Sequence, residues 1–163
     1  EMDIQLVLGP NSSGKSLFAE NLITESSNEH RIYLATMIPQ THENHKRIQK
    51  HILQRADKNF QTIEEPWNIH LIEIPKNSFV LLEDASNLLA NGIFIHHSDY
   101  QECLKRILAL AKKCKKLVIV SIDELKISSD YDSKTNDYIE QLHSLNILLQ
   151  EKALYTKFVK KDS

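Results

Sequence analysis

Near the start of the chain, Gly9-Pro10-Asn11-Ser12-Ser13-Gly14-Lys15-Ser16 fits the pattern G-x-x-x-x-G-K-[ST] in full. An apolar run, IQLVLG (residues 4–9), precedes it, and a helical pattern over residues 16–24 follows. No other feature limits the fold as much. The glycines allow a tight path on which backbone N–H groups face a phosphate, and the helix N-terminus adds partial positive charge. Lys15 is placed to reach β- and γ-phosphates, and the Ser16 hydroxyl to bind Mg²⁺. Strand, loop and helix together predict a bound nucleotide, GTP or ATP.

The rest of the chain agrees with that start. Further strand patterns are RIYLAT (31–36), IHLIEIP (69–75), FVLLED (79–84), KLVIVS (116–121) and ALYTKFV (153–159). Runs such as LVIV are apolar on both faces, as strands of a helix-covered parallel sheet should be. Helical patterns fall at 41–56, from 85 onward, at 99–113 and at 135–151, with a polar loop expected at 126–137. The expectation is an α/β, P-loop NTPase-type doubly wound fold with a mostly parallel sheet and helices on both faces. A single nucleotide-binding domain over residues 1–163 fits this length.

Charge and cysteines narrow the classes of function. The formal net charge is −2, so no bulk basic field argues for nucleic acid. Cys103 and Cys114 lack metal or CxxC spacing and stand too far apart along one helical stretch to bridge, which predicts reduced thiols. No run reaches the roughly 18 apolar residues of a membrane span, and no leader pattern is visible, so the expected compartment is the cytoplasm.

A P-loop enzyme needs an acidic group for its metal. Glu83 and Asp84 end an apolar strand pattern, where such ligands sit. Glu83 is the candidate ligand beside Ser16; Asp84 could equally cap the helix beginning at Ala85. Asp123 and Glu124 are alternative partners, read first as a solvated loop. His42, His45 and His51 share a polar helix, but spacings of three and six do not put all three on one face. Histidine can act as a nucleophile on an activated phosphate. Spacing alone does not select His51 over its neighbours.

The ordered motifs resemble the bifunctional adenosylcobinamide kinase/adenosylcobinamide-phosphate guanylyltransferases of cobalamin biosynthesis. The resemblance runs through GPNSSGKSLFAENLI, then YLAT (33–36), RIQKH (47–51), Arg55 four residues further on, TIEE (62–65), Glu83 with Asn91 eight residues later, and Asn146. It implies that His51 is guanylylated during transfer of GMP from GTP, with Lys15 serving phosphoryl transfer. It also implies that Gly9 to Ser16 cradle the phosphates and that Ala35, Thr36, Met37, Arg55, Glu64 and Glu83 belong to the nucleotide site. The implied acceptor is the corrinoid adenosylcobinamide, and the implied assembly is a small homo-oligomer. The chain departs from the family pattern at Ala56, Phe60 and His143, and at Ile122-Asp123-Glu124-Leu125-Lys126-Ile127, where the family has a glycine-rich loop. Two other readings stay open: a family member that binds nucleotide without catalysing, and a P-loop kinase or ATPase acting on another small molecule.

Overall fold

Strands form where the apolar runs lie. The computed structural model describes residues 2–26, 29–38 and 42–161. Its strands are β1 (Ile4–Gly9), β2 (Arg31–Ala35), β3 (Phe60–Glu64), β4 (Phe79–Glu83), β5 (Lys116–Ile122) and β6 (Tyr155–Phe158). All pair in parallel in one sheet, ordered β3-β2-β4-β5-β1-β6. The helices are α1 (Lys15–Thr24), α2 (His42–Arg55), α3 (Ala85–Phe94), α4 (Tyr100–Ala111) and α5 (Ser133–Lys152). This is the expected α/β fold of P-loop NTPase type. The helix pattern expected to start at Thr41 begins at His42; Thr41 lies outside the described residues.

Alternate residues of each strand serve opposite faces. Leu6, Leu8, Leu34, Val80, Leu82 and Ile119 pack with Leu88, Ile107, Leu142 and Leu145 of α3, α4 and α5. On the other face Val7, Tyr33, Leu81, Val118 and Val120 pack with Ala19 and Ile23 of α1. Every residue of β2 and β4 is buried, which explains their continuous apolar character. Aspartates start three helices: Asp84, Asp99 and Asp132 accept from the backbone N–H of Asn87, Glu102 and Thr135 at 2.7, 2.9 and 2.7 Å.

Two expectations need correction. Residues 69–75 are not a strand: Ile69–Leu71 is a short 3-10 helix, and its flanks are irregular. Basic side chains of α4 and the turn after it take up carbonyls of this segment and of Trp67 just before it, in place of a ladder. Lys113 Nζ donates to the His70 and Ile72 carbonyls, and Arg106 to that of Trp67 at 3.3 Å. The edge position beside β2 is filled by Phe60–Glu64, whose polar FQTIE pattern hid it. The loop expected over 126–137 is shorter, because Asp132 caps α5 and the helix starts at Ser133.

Candidate active site

Parallel strands put all their C-terminal ends on one rim, the usual place for a ligand in an open α/β sheet. Here the rim brings Gly9 beside Ile122, Ala35 between Glu64 and Glu83, and Glu83 beside Val120. A cleft of about 280 Å³ opens there, lined by the loop residues Asn11 to Ser16, by Tyr33, Ala35, Met37, Glu83 and Asp84, and by one side of α2.

The loop's shape depends on its glycines. A Cβ on Gly9 would sit 2.8 Å from both the Ser13 hydroxyl and the Val159 carbonyl, so the residue after β6 and the loop together exclude a side chain. Gly14 has φ +85, the left-handed region that glycine enters without strain, and Ser12 also has positive φ, 59. Gly14 caps α1 without a side-chain bond, so the first-turn N–H groups are left for an anion. Lys15 Nζ donates to the Pro10 carbonyl at 3.0 Å, holding the loop curled around its own cation. Burial holds the Lys15 ammonium below its ordinary pKa, and nearby Arg47 adds to this, while Asp84, Glu83 and Asp123 oppose it.

Glu83 is the hub. Ser16 Oγ donates to its Oε1. Its Oε2 accepts from the Tyr33 hydroxyl at 2.5 Å and from His51 Nδ1 at 2.7 Å. The Tyr33 hydroxyl also lies 3.2 Å from His51 Nδ1. Burial alone would raise the Glu83 pKa, but the bonds from His51, Ser16 and Tyr33 outweigh it and hold the carboxyl below its usual range. Its neighbour goes the other way: burial pushes Asp84 up to about 6, against the Asn87 N–H and with the Glu83 charge. With Nδ1–H donated to Glu83, the other ring nitrogen of His51 keeps its lone pair free for chemistry.

The Ser16 hydroxyl and the Glu83 carboxylate are an oxygen donor pair in direct contact, with the Asp84 carboxyl next along the chain and facing the same cleft. That donor chemistry fits Mg²⁺, which takes one or two protein oxygens and keeps the rest for water and phosphate.

The other expected residues take different places. Thr36 is buried behind the rim: its hydroxyl donates to the Asp84 carbonyl at 2.9 Å and accepts from the Asp84 N–H at 3.0 Å. Asn91 holds Thr36 in turn, donating to its carbonyl at 2.8 Å. Arg55 is buried beneath Tyr33, its guanidinium carbon 3.1 Å from the ring centroid. Gly9 and Pro10 form the back of the loop, and Glu64 ends β3 as an exposed side chain outside the cleft lining. Asp123, read as solvated, is half-buried, with an Oδ1 that has no hydrogen-bond partner among the described residues. Asn146 is structural, accepting from Ser121 Oγ at 2.7 Å and donating to the Ile122 carbonyl at 3.0 Å.

Sequence reasoning missed Tyr33, Arg47, Lys50 and Asn87, all of which line the cleft. Arg47 had a readable signal, since it stands four residues before His51 and so shares its helix face. Tyr33 and Lys50 stand within the YLAT and RIQKH motifs of the resemblance, and Asn87 had no signal.

Residues 5–160 match the model of the family described as "Cobinamide kinase / cobinamide phosphate guanyltransferase", and the chain belongs to that family. No curated protein sequence matches the chain. Among solved structures, the crystal structure of flagellar accessory protein FlaH from Methanocaldococcus jannaschii is similar at a TM-score of 0.52 and 10% identity. That likeness covers 96% of this chain and 70% of the other, and concerns the fold. Among the described residues, no helix is long and apolar enough to cross a membrane.

Proposed function

We propose, on the premise of this family membership, that the chain is a cobalamin-biosynthesis enzyme that phosphorylates adenosylcobinamide and then transfers GMP to the product through His51. The family is one of nucleotide-dependent kinases and guanyltransferases. The observation that carries the finer reading is the 2.7 Å contact between His51 Nδ1 and Glu83 Oε2, the same carboxylate that takes the Ser16 hydroxyl of the phosphate loop. A histidine from α2 and the loop after β1 thereby face one cleft.

In the kinase step the corrinoid hydroxyl attacks the γ-phosphorus of ATP or GTP. The new P–O bond forms as the bond to the β-phosphate oxygen breaks, and the nucleoside diphosphate leaves. Lys15 and the α1 N-terminus hold the phosphates and spread their charge. Asp84, with its pKa raised to about 6, is the cleft carboxylate best matched to take the hydroxyl proton. In the guanylyl step the free ring nitrogen of His51 attacks the α-phosphorus of GTP. An N–P bond forms and pyrophosphate leaves, while Glu83 keeps the proton on Nδ1 and steadies the cationic ring. An oxygen of the cobinamide phosphate then attacks the same phosphorus, and the P–N electron pair returns to the ring. Mg²⁺ held by Ser16 and Glu83 would supply charge neutralisation at the phosphates.

Incubation with GTP labelled in the α-phosphate, followed by mass spectrometry, tests this reading. The expected result is a GMP adduct on His51 that His51→Ala abolishes while nucleotide still binds. An adduct that persists in His51→Ala removes the histidine from the reaction. Lys15→Ala is expected to lower turnover by roughly 100-fold or more, and unchanged turnover would sink the role of the loop.

One observation favours a second reading, nucleotide binding without guanylyl transfer. The glycine-free stretch after β5 is tied to α5, with His143 Nε2 donating to the Leu125 carbonyl at 2.6 Å. Binding of GTP with no adduct at any site would select it.

A further inference from the structure

Glu20, in the second turn of α1, has no exposed surface and does not itself line the cleft. A buried carboxylate is costly unless partners compensate it. Among the described residues, the partners of Glu20 come from α2 and the turn after it. Gln54 Nε2 donates to Oε2 at 2.7 Å, Lys58 Nζ to Oε1 at 3.1 Å, and Arg55 stands 3.9 Å away.

These contacts matter because α2 has little else to hold it. Of its residues only Arg55 is buried; Leu53 is 73% exposed and Ile52 38%. Asn44, Ile48, His51 and Gln54 are the half-buried rest, the first three spaced as one helical stripe with Arg55. The Arg55 guanidinium also stands against the ring of Tyr33, whose hydroxyl touches both Glu83 and His51. The three guanidinium nitrogens have no hydrogen-bond partner among the described residues, so the charge of Glu20 and the ring of Tyr33 are what meet that cation.

We infer that Glu20 is a positioning residue: it pins α2 to the helix that follows the phosphate loop, and so fixes His51 against Glu83 within reach of the nucleotide. The inference rests on the proposed guanylyl transfer for its functional readout, though the anchoring itself does not. A small displacement of a reacting group is enough to slow transfer strongly.

The test compares the full chain with Glu20→Gln, which keeps the size and loses the charge, and with Lys58→Met, a milder change at a partly exposed partner. Three quantities are read: affinity for a non-hydrolysable GTP analogue, the rate of GMP incorporation at His51, and hydrogen exchange along α2. In Glu20→Gln the incorporation rate is expected to fall roughly tenfold or more, with analogue affinity within about twofold of the parent and exchange faster over residues 42–55. In Lys58→Met the same pattern is expected at roughly threefold, which keeps the test alive if Glu20→Gln does not fold. Unchanged incorporation, or a parallel loss of affinity and incorporation, overturns the positioning role. If the parent forms no adduct, the guanylyl reading fails by itself. Exchange then decides: acceleration confined to α2 supports the anchor, and unchanged exchange removes it.

Discussion

Helices α5 and α2 are fixed to the same sheet by different means. α5 buries Leu142, Leu145 and Leu149 in the larger core, so removal of apolar surface from water holds it in place. α2 buries one residue, a charged one, and is held by Glu20, Tyr33 and Glu83 through directional polar contacts. Such contacts add little net stability each, but they fix orientation. The helix that packs the core and the helix that carries the candidate nucleophile are thus held by different interactions.

Substitutions can break that contrast. Leu142→Ala, on the packed face, is expected to cost about 2–5 kcal/mol in urea unfolding without selective loss of nucleotide affinity in the folded protein. A cost below that of a surface change would contradict the assignment of α5 to the core. Gly92→Ala tests the same face at another point. A Cβ there would lie 2.5 Å from the Trp67 ring, so a loss of about 1–3 kcal/mol is expected from overpacking.

On the cleft side the sign reverses. Folding raises the Asp84 carboxyl from 3.8 to about 6, so the folded state holds a proton that the unfolded chain releases between those values. The native state therefore loses this contribution as pH rises from about 3.8 to about 6. Asp84→Asn keeps a helix cap and removes that burden. It should raise the denaturation midpoint at pH 7, with the gain shrinking on acidification through that window; a gain independent of pH would rule the explanation out. Glu83, held low, acts oppositely: its contribution is present above the unfolded carboxyl pKa and fades as pH falls through the folded one. The smallest effect belongs to Leu53→Ala on the outer side of α2, expected within about 0.5 kcal/mol of the parent. A larger loss would mean that α2 is packed more firmly than its exposure suggests.

Much of this was legible in the residues. The phosphate loop, five of the strands and the Asp84 cap follow from apolar runs and local turn chemistry. What failed had specific causes. FQTIE lies at a sheet edge with mostly polar, exposed side chains, so it carried no apolar run. IHLIEIP carried one, yet Ile69, Ile72 and Ile74 join the core from an irregular segment whose His70 and Ile72 carbonyls are taken by Lys113. At the site, Lys15, Ser16 and Glu83 could be read because strand ends and loop motifs set their places. The convergence of His51, Tyr33 and Glu83 could not, since it depends on how α2 crosses a rim built from distant strands. Only the family resemblance singled out His51, and geometry then supplied its partner.

Gly9 leans on Val159, and the Val159 N–H donates to the Leu8 carbonyl at 2.7 Å. The G-x-x-x-x-G-K-S loop is therefore walled by Val159, which follows β6 in the chain. During synthesis from the N-terminus, the motif leaves the ribosome before β6, so its wall is absent until β6 and Val159 have emerged. A nascent chain carrying the complete G-x-x-x-x-G-K-S signature still lacks a finished phosphate cradle.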